Sequence, residues 1–296
     1  MRTLRLAVML VLASQASWAA ETASFLDIGV GARALGMGGA NTALADDANS
    51  LYWNPAGLAK LEKREFTASH AEMFESTRLD FLAYAHPTSQ GTFAAGLTYL
   101  SQGKIDGRDS SGRQTAGYDA SDAAVSLGYA RTLELADVGA TFKYLRSHIG
   151  STEAQGAAVD VGAKRAFDRV SVGAALRNIG PGLKFQDQRN DLPLRLALGA
   201  AYKFAGGHAA AVELVNGPRG AGTDASFGGE FQAVKNLYMR AGYTTQTAIT
   251  GGTGFDVARG LTLGLGFRNE KWSLDYAVLP SGELGRSHRF SLGARF

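Results

Sequence analysis

The 296-residue chain sets 30 Lys and Arg against 27 Asp and Glu, for a formal charge of +3, and contains no cysteine. The missing cysteine excludes disulfides, thiolate metal sites and a lipid-bearing residue after a leader. Two of the net charges are Arg2 and Arg5, and no basic run or basic-aromatic cluster follows, which argues against a nucleic-acid surface.

In chain order, residues 1–19 read as a secretory leader: Arg2 and Arg5 form the positive region, Leu6 to Ala13 the apolar region, and Ser17-Trp18-Ala19 the small-x-small cleavage site. That apolar run is too short to cross a bilayer, and no later one approaches the roughly 20 residues of a membrane helix. No Pro-rich, Ser/Gly-only or charge-block linker divides the remaining chain, so one continuous domain is expected after the leader.

Ser24 to Val30 is a short apolar stretch, either a first strand or an extended lead-in. Gly31 to Leu58 differs from everything after it. Gly36, Gly38 and Gly39 favour a tight turn or close backbone packing. Asp46 or Asp47 is placed to cap a short helix through Trp53, and Asn54-Pro55 gives a second helix start, with Asn at N-cap, Pro at N1 and the turn running on from Ala56.

From Arg64 onward the period is two, most clearly in 138–144, 194–204, 261–267, 272–278 and 290–296. One face is aliphatic and aromatic, the other glycine, hydroxyl or charge. Strands are expected at 64–73, 78–86, 92–101, 120–131, 136–147, 155–166, 169–178, 193–204, 207–216, 224–233, 237–244, 260–268, 271–279 and 287–296, mostly of the length a tilted membrane strand needs. With Phe296 on the periplasmic side, the turns near 87–91, 132–135, 167–168, 205–206, 234–236 and 269–270 are all short, while the other side carries the loops 102–119, 179–192, 245–259 and 280–286. That asymmetry belongs to outer-membrane barrels, and alternation of lipid-facing and lumen-facing residues explains a mean hydropathy of −0.08 without a long apolar run. A soluble β-sandwich would alternate too. The leader, the loop asymmetry and the terminal Phe296 favour an all-β transmembrane barrel of about fourteen antiparallel strands. The expected division is 1–19 leader, 20–62 a small helical plug in the lumen, and 63–296 barrel.

The polar face carries Lys143, Lys164, Arg177, Arg195, Arg240, Glu230 and Asp275, expected to face the lumen. Inward charges need water or partners, so Arg33, Asp46 and Asp47 are candidates to latch the plug to the wall. Arg33, Gly36, Gly38, Gly39, Asp46, Asp47, Trp53, Asn54, Pro55 and Ala56 are the candidate plug or gate positions; the bland alternative for them is helix capping and folding.

The stretch Gly31-Ala32-Arg33-Ala34-Leu35-Gly36-Met37-Gly38-Gly39-Ala40, then Ala45-Asp46-Asp47, then Tyr52-Trp53-Asn54-Pro55-Ala56-Gly57-Leu58, with a close through Asp275-Tyr276, His288-Arg289 and Phe296, resembles the PorV/PorQ family within the FadL-like superfamily of outer-membrane barrels. The resemblance implies fourteen strands, an N-terminal segment folded into the lumen, and either a role in a pathway that moves folded proteins to the cell surface or passive transport of hydrophobic small molecules such as fatty acids and hydrocarbons. Phe290, Leu292 and the terminal Phe296 resemble the signal read by barrel-insertion machinery. The surface loops here are shorter than that pattern, and no long apolar loop offers a capture groove.

Other chemistry weighs little. Gly29-x-Gly31 with Gly36 and Gly38-Gly39 has the wrong spacing for a dinucleotide loop and no βαβ unit behind it. His70, His86, His148, His208 and His288 are scattered without metal-ligand spacing, and Ser69-His70 and Ser287-His288 fall on opposite faces of a strand. Asp106, Asp109, Asp119 and Asp122 read as a solvated loop sooner than a cation site. The sequence therefore predicts a non-enzymatic protein with no cofactor and no metal. Its expected partners are outer-membrane lipids, the insertion machinery, and secretion-system proteins or a hydrophobic ligand, with no nucleic acid.

Overall fold

The computed structural model describes residues 21–108, 110–114, 117–219, 221–246, 260–280 and 285–296. The leader at 1–19, Asp109, and most of the loops at 245–259 and 280–286 lie outside the described residues. Among the described residues fourteen strands close a ring, every neighbour antiparallel. They are β1 (Glu65–Glu72), β2 (Arg78–Thr88), β3 (Gly91–Ile105), β4 (Tyr118–Thr132), β5 (Asp137–Ile149), β6 (Thr152–Phe167), β7 (Val170–Ile179), β10 (Arg195–Lys203), β11 (Ala209–Gly217), β12 (Gly222–Val234), β13 (Leu237–Thr244), β14 (Leu261–Arg268), β15 (Trp272–Pro280) and β16 (Arg286–Arg295). A two-stranded hairpin, β8 (Leu183–Phe185) and β9 (Gln188–Asn190), stands in the β7–β10 connection. β1 pairs with β16 from Glu65↔Arg295 to Glu72↔His288, and the Phe296 N–H donates to the Arg64 carbonyl at 3.0 Å, which closes the ring at its seam.

Closure, with no sheet edge left in the wall, rules out the sandwich. Alternation is explained by an outward face that is apolar, with Phe93, Leu127, Phe142, Leu214, Leu263 and Leu274 exposed, and an inward face of small and polar residues. No described helix is long and apolar enough to cross a membrane; the strands do that.

All fourteen expected strands are present, and the differences lie at their ends. β3, β4 and β6 run 15, 15 and 16 residues, well past the 9–11 that span a bilayer. Their extra residues at the long-loop end include polar ones such as Asp119 of β4 and Thr152 and Glu153 of β6, too few to extend a hydrophobic period. The β8–β9 hairpin is too short for a period to register, yet Leu183 is fully buried where Gly156 of β6 leaves room for it.

The N-terminal segment is built of short turns, not a strand. A 3-10 turn spans Ser24–Asp27, α1 spans Ala32–Gly36, α2 spans Ser50–Trp53 and a second 3-10 turn spans Pro55–Lys60. The strand alternative for 24–30 is therefore wrong. α1 went unread because Ala-Arg-Ala-Leu-Gly is too short and too small-residue-rich to show an apolar stripe.

Candidate functional site

The N-terminal segment runs through the inside of the ring from one mouth to the other. At the long-loop mouth, Thr22 N–H donates to the Asp191 carbonyl at 2.8 Å, and Arg195 at the start of β10 bonds Glu21 at 2.6 Å and Asp27 at 2.5 Å. At the short-turn mouth, Lys60 faces Asp137 at 3.4 Å, Lys203 reaches Asp46 at 3.1 Å, and Ala48 N–H donates to Glu65 at 3.3 Å. Between these ends nearly every residue from Gly29 to Leu58 is buried.

The segment is tied to itself by its aromatic pair. Tyr52 Oη donates to the Leu26 carbonyl at 2.7 Å and accepts from Gly29 N–H at 3.0 Å, and Trp53 Nε1 donates to the Val30 carbonyl at 2.9 Å. The Arg177 guanidinium of β7 lies 5.8 Å from the Tyr52 ring and 5.6 Å from the Trp53 ring, close enough for cation–π attraction. Asn54 works as a cap and as a tie: its Oδ1 accepts from Ala56 N–H at 3.1 Å, and its Nδ2 donates to the carbonyls of Thr42 at 2.9 Å and of Ala163 on β6 at 3.2 Å. Pro55 opens the 3-10 turn, where its missing N–H costs nothing.

The backbone of this segment lies directly on the wall because the wall presents glycine to it. Inward-facing glycines form directly paired couples across neighbouring strands: Gly139 with Gly162, Gly173 with Gly199, and Gly228 with Gly242. A side chain on Gly139 would meet Pro55, one on Gly173 would meet Thr42, and one on Gly242 would meet Met37 and Gly38. From the other side, Gly38 has φ +69°, and a Cβ there would sit 2.7 Å from the Tyr243 carbonyl; one on Gly36 would sit 3.1 Å from the Gly264 Cα. Gly39 shares the left-handed backbone, φ +82°. Many of the chain's glycines thus serve one girdle, a role that composition alone does not reveal.

The charges condense into two networks. In the first, Arg33 bonds Asp46 at 2.6 Å and Glu230 of β12 at 3.0 and 3.1 Å; Glu230 also receives Arg240 of β13 at 2.7 Å, and Arg240 reaches Asp275 of β15 at 2.7 Å. Lys164 of β6 donates to the Ala45 carbonyl at 2.5 Å, and Glu213 of β11, on the polar face of the sequence, accepts from Thr42 N–H at 2.7 Å. Burial opposes ionisation of Asp46, but Arg33 and Lys203 outweigh it and hold the carboxyl far below its ordinary value. Asp47 behaves oppositely: burial pushes it up, Arg33 offsets only part of that, and the charge on Asp46 adds to the rise. Its Oδ1 accepts from Asn49 N–H at 2.9 Å, so it acts as a local cap and not as a tie to the wall. In the second network Lys143 bonds Asp160 at 2.7 Å and Asn178 at 2.8 Å, all on the wall. Burial also raises Asp27 despite the nearby Arg195 and Arg177.

All seven wall charges singled out in the sequence therefore face inward; Lys164, Arg177, Arg195 and Glu230 touch the N-terminal segment, Lys143 bonds wall partners and also lies 5.8 Å from the Tyr52 ring, and Arg240 and Asp275 pair with each other on the wall. The Glu21 and Asp27 ties fall in a stretch too short to phase, and the period that turns Arg289 of β16 inward does not reveal that it is buried with its Nε and Nη1 lacking any acceptor among the described residues. Phe290, Leu292 and Phe296 face outward on the last strand, with the Phe296 ring stacked at 6.3 Å on Tyr84.

A family model described as Type IX secretion system protein PorV matches residues 13–214. No curated protein matches the sequence. Among solved structures, the Ralstonia pickettii toluene transporter TbuX superposes with a TM-score of 0.67 at 14% identity, covering 90% of this chain and 98% of that one. The P. putida toluene transporter TodX superposes at 0.62, also at 14% identity, covering 90% and 99%. At that identity the two structures establish a shared barrel fold.

Proposed function

The chain belongs to the PorV family of type IX secretion system proteins, and from that premise we propose that it is an outer-membrane barrel, closed by its own N-terminal segment, that serves protein secretion or surface attachment. In this reading residues 1–19 direct export, 20–62 form a plug, and 63–296 form the wall. The short turns face the periplasm and the long loops the cell exterior. Phe290, Leu292 and Phe296 present the assembly signal to the insertion machinery. The protein performs no catalysis; its work is binding and holding.

The family match carries the secretion reading, and the packing of the segment supports a closed resting state. Beside α1 the contact is close: the cavity between Gly29, Leu35 and Arg289 measures about 10 Å³, roughly the least that admits one water, whereas about 380 Å³ opens at the short-turn mouth among Asp46, Glu65, Arg268 and Arg295. The second reading, a passive channel for hydrophobic small molecules, is favoured by the superposition on toluene transporters. It requires the segment to move.

The deciding experiment is affinity capture of the tagged protein from native outer membranes, run beside uptake of a labelled fatty acid by liposomes containing the purified barrel. Capture of secretion-system proteins with no uptake is the expected result. Uptake by the barrel alone, with no protein partner captured, would overturn the secretion reading in favour of transport.

A further inference from the structure

At the short-turn mouth the N-terminal segment does not fill the ring. A pocket of about 380 Å³ opens there between Asp46 and Leu61 of the segment and Glu65, Arg268 and Arg295 at the ends of β1, β14 and β16. Arg268 continues the inward phase of Gly264 and Gly266, and Arg295 that of Ser291 and Gly293. The pocket therefore opens inside the ring, away from the lipid-facing surface.

The enclosed carboxylates are already engaged. Asp46 accepts from Arg33 at 2.6 Å and from Lys203 at 3.1 Å, and Glu65 from Arg295 at 3.0 Å and from the Ala48 N–H at 3.3 Å. Glu230 and Asp275, whose charges also reach Arg268, are held by Arg33 and Arg240. Arg268 itself has no carboxylate partner among the described residues, and its Nε is enclosed without an acceptor. Its guanidinium lies 5.3 Å from the Tyr238 ring, a contact that holds the plane and leaves in-plane N–H groups for an acceptor. Arg289 also lacks acceptors, but the cavity beside it is about one water in size. Beside Arg268 there is room for a side chain.

The surroundings carry the same sign. Around the short-turn mouth nine exposed lysines and arginines stand against four exposed acids, Glu62, Glu134, Asp168 and Glu270. Such an excess draws an anion in from solution. A phospholipid head would meet the bases that continue the outward rows, such as Arg131 on β4 and Arg165 on β6, and not Arg268 within the ring. A carboxylate on a flexible segment of a soluble protein can enter the mouth, where Leu61 offers its neighbouring side chain an apolar contact.

We propose that this pocket is a docking site for an acidic segment of a periplasmic protein, one Asp or Glu carboxylate of that segment accepting from the Arg268 guanidinium. The preference for an anion rests on the pocket itself. The periplasmic source rests on the reading that the short turns face the periplasm.

The test is fluorescence anisotropy of the purified full-length barrel in neutral detergent with rhodamine-labelled hexaglutamate, and with hexaglutamine as the uncharged counterpart. Hexaglutamate is expected to bind about tenfold more tightly, and Arg268→Gln to remove most of that preference. Arg165→Gln takes the same charge from the outer face of β6 and should change binding by less than about twofold. Glu270→Gln removes an exposed carboxylate from the rim of the pocket and should tighten binding about two- to threefold, a gain that no folding defect imitates. Heat-modifiable gel mobility verifies that each variant is folded. Failure of hexaglutamate to bind the folded protein, or equal losses from Arg268→Gln and Arg165→Gln, would overturn the site. So would displacement of the peptide by phosphatidylglycerol added to the micelles, which would give the pocket to a lipid head. Labelling of Lys63→Cys from outside intact cells, with peptide binding unchanged, would keep the pocket and overturn its periplasmic partner.

Discussion

Arg33 and Glu230 are 197 positions apart in the chain, yet the guanidinium meets both carboxylate oxygens, Nε to Oε2 at 3.0 Å and Nη2 to Oε1 at 3.1 Å. A parallel two-point contact of this kind fixes orientation as well as distance. It joins the N-terminal segment to the wall at the height of α1. Because Arg240 also bonds Glu230, the carboxylate stays compensated if Arg33 is lost, whereas Arg33 loses two of its contacts if Glu230 is lost.

This asymmetry predicts unequal mutants. Glu230→Ala leaves Arg33 and Arg240 facing each other in a buried space and is expected to cost about 3–5 kcal/mol. Arg33→Ala is expected to cost less, about 1–3 kcal/mol, with its effect concentrated in the segment. Chemical unfolding in detergent gives the first comparison; trypsin cleavage within 31–58 and single-channel conductance give the second. If Arg33→Ala and Asp46→Ala leave both proteolysis and conductance unchanged, these charges do not latch the segment.

Acid should act in two stages. Asp47 and Asp27 are raised above an ordinary value of 3.8, chiefly by burial. The folded state therefore binds their protons before the unfolded state does, and stability rises as pH falls from neutral towards about 4. Asp46 is depressed by Arg33 and Lys203 against the opposing effect of burial. Its contribution is present above the unfolded value and is lost as pH falls below about 4 towards the folded one. The unfolding midpoint should pass through a maximum on the acid side of neutrality. Asp47→Asn should flatten the rising limb, and Asp46→Asn should flatten the falling one. A profile that declines steadily from pH 7 to 4 would contradict the assignment of Asp47 and Asp27.

What the sequence discloses follows from what has a period. Leu261 to Phe267 alternates perfectly and was legible as wall, and so was the inward phase of Lys143 and Arg240. Strand ends lose that signal, since Thr152 and Glu153 are both polar and the single buried Ala154 is too little to set a phase. The glycine girdle was invisible for a different reason. Gly139 and Gly162 look like ordinary lumen-facing positions, and only register makes them partners beneath Pro55 and Asn54. Asp47 reads from the sequence both as a cap and as a latch, because sequence cannot distinguish a carboxylate that pairs across the lumen from one that accepts a backbone N–H two residues on, as Asp47 does from Asn49.

The girdle makes a prediction that separates wall from segment. Gly242→Val places a β-branched residue on a strand, where it is favoured, but directs its side chain into Met37 and Gly38. The barrel should still assemble and show heat-modifiable mobility, while the segment becomes protease-sensitive and the unfolding midpoint falls by an amount equivalent to about 1–3 kcal/mol. Gly38→Ala attacks the same contact from the other side and adds the cost of a left-handed backbone, about 1–2 kcal/mol. An unaltered cleavage pattern in both variants would mean that the close approach does not hold the segment.

Arg289 predicts a stabilising substitution. Its guanidinium is buried, with Nε and Nη1 unpaired among the described residues, beside the apolar Leu35, Ala71 and Leu79. Replacing a poorly compensated buried ion by an apolar side chain of similar volume is commonly neutral or stabilising by 1–4 kcal/mol. Arg289→Met is therefore expected to raise the unfolding midpoint without changing the cleavage pattern of the segment. A fall of more than about 1 kcal/mol would show that the guanidinium is satisfied by solvent in the 10 Å³ cavity.

The course of the segment can be tested on cells, because a chain without cysteine accepts single cysteines as unambiguous reporters. Thr22 lies at the long-loop mouth, bonded to the Asp191 carbonyl, whereas Lys63 is exposed at the short-turn mouth just before β1. If the segment threads the barrel from outside to inside, Thr22→Cys should react with a membrane-impermeant maleimide on intact cells, and Lys63→Cys only after the outer membrane is permeabilised. Arg195→Ala, which removes the ties to Glu21 and Asp27, should speed labelling at position 22 several-fold and leave position 63 unchanged. The reverse pattern would invert the barrel in the membrane. Reaction of both sites on intact cells would mean that the lumen is open to small molecules and that the segment does not close it.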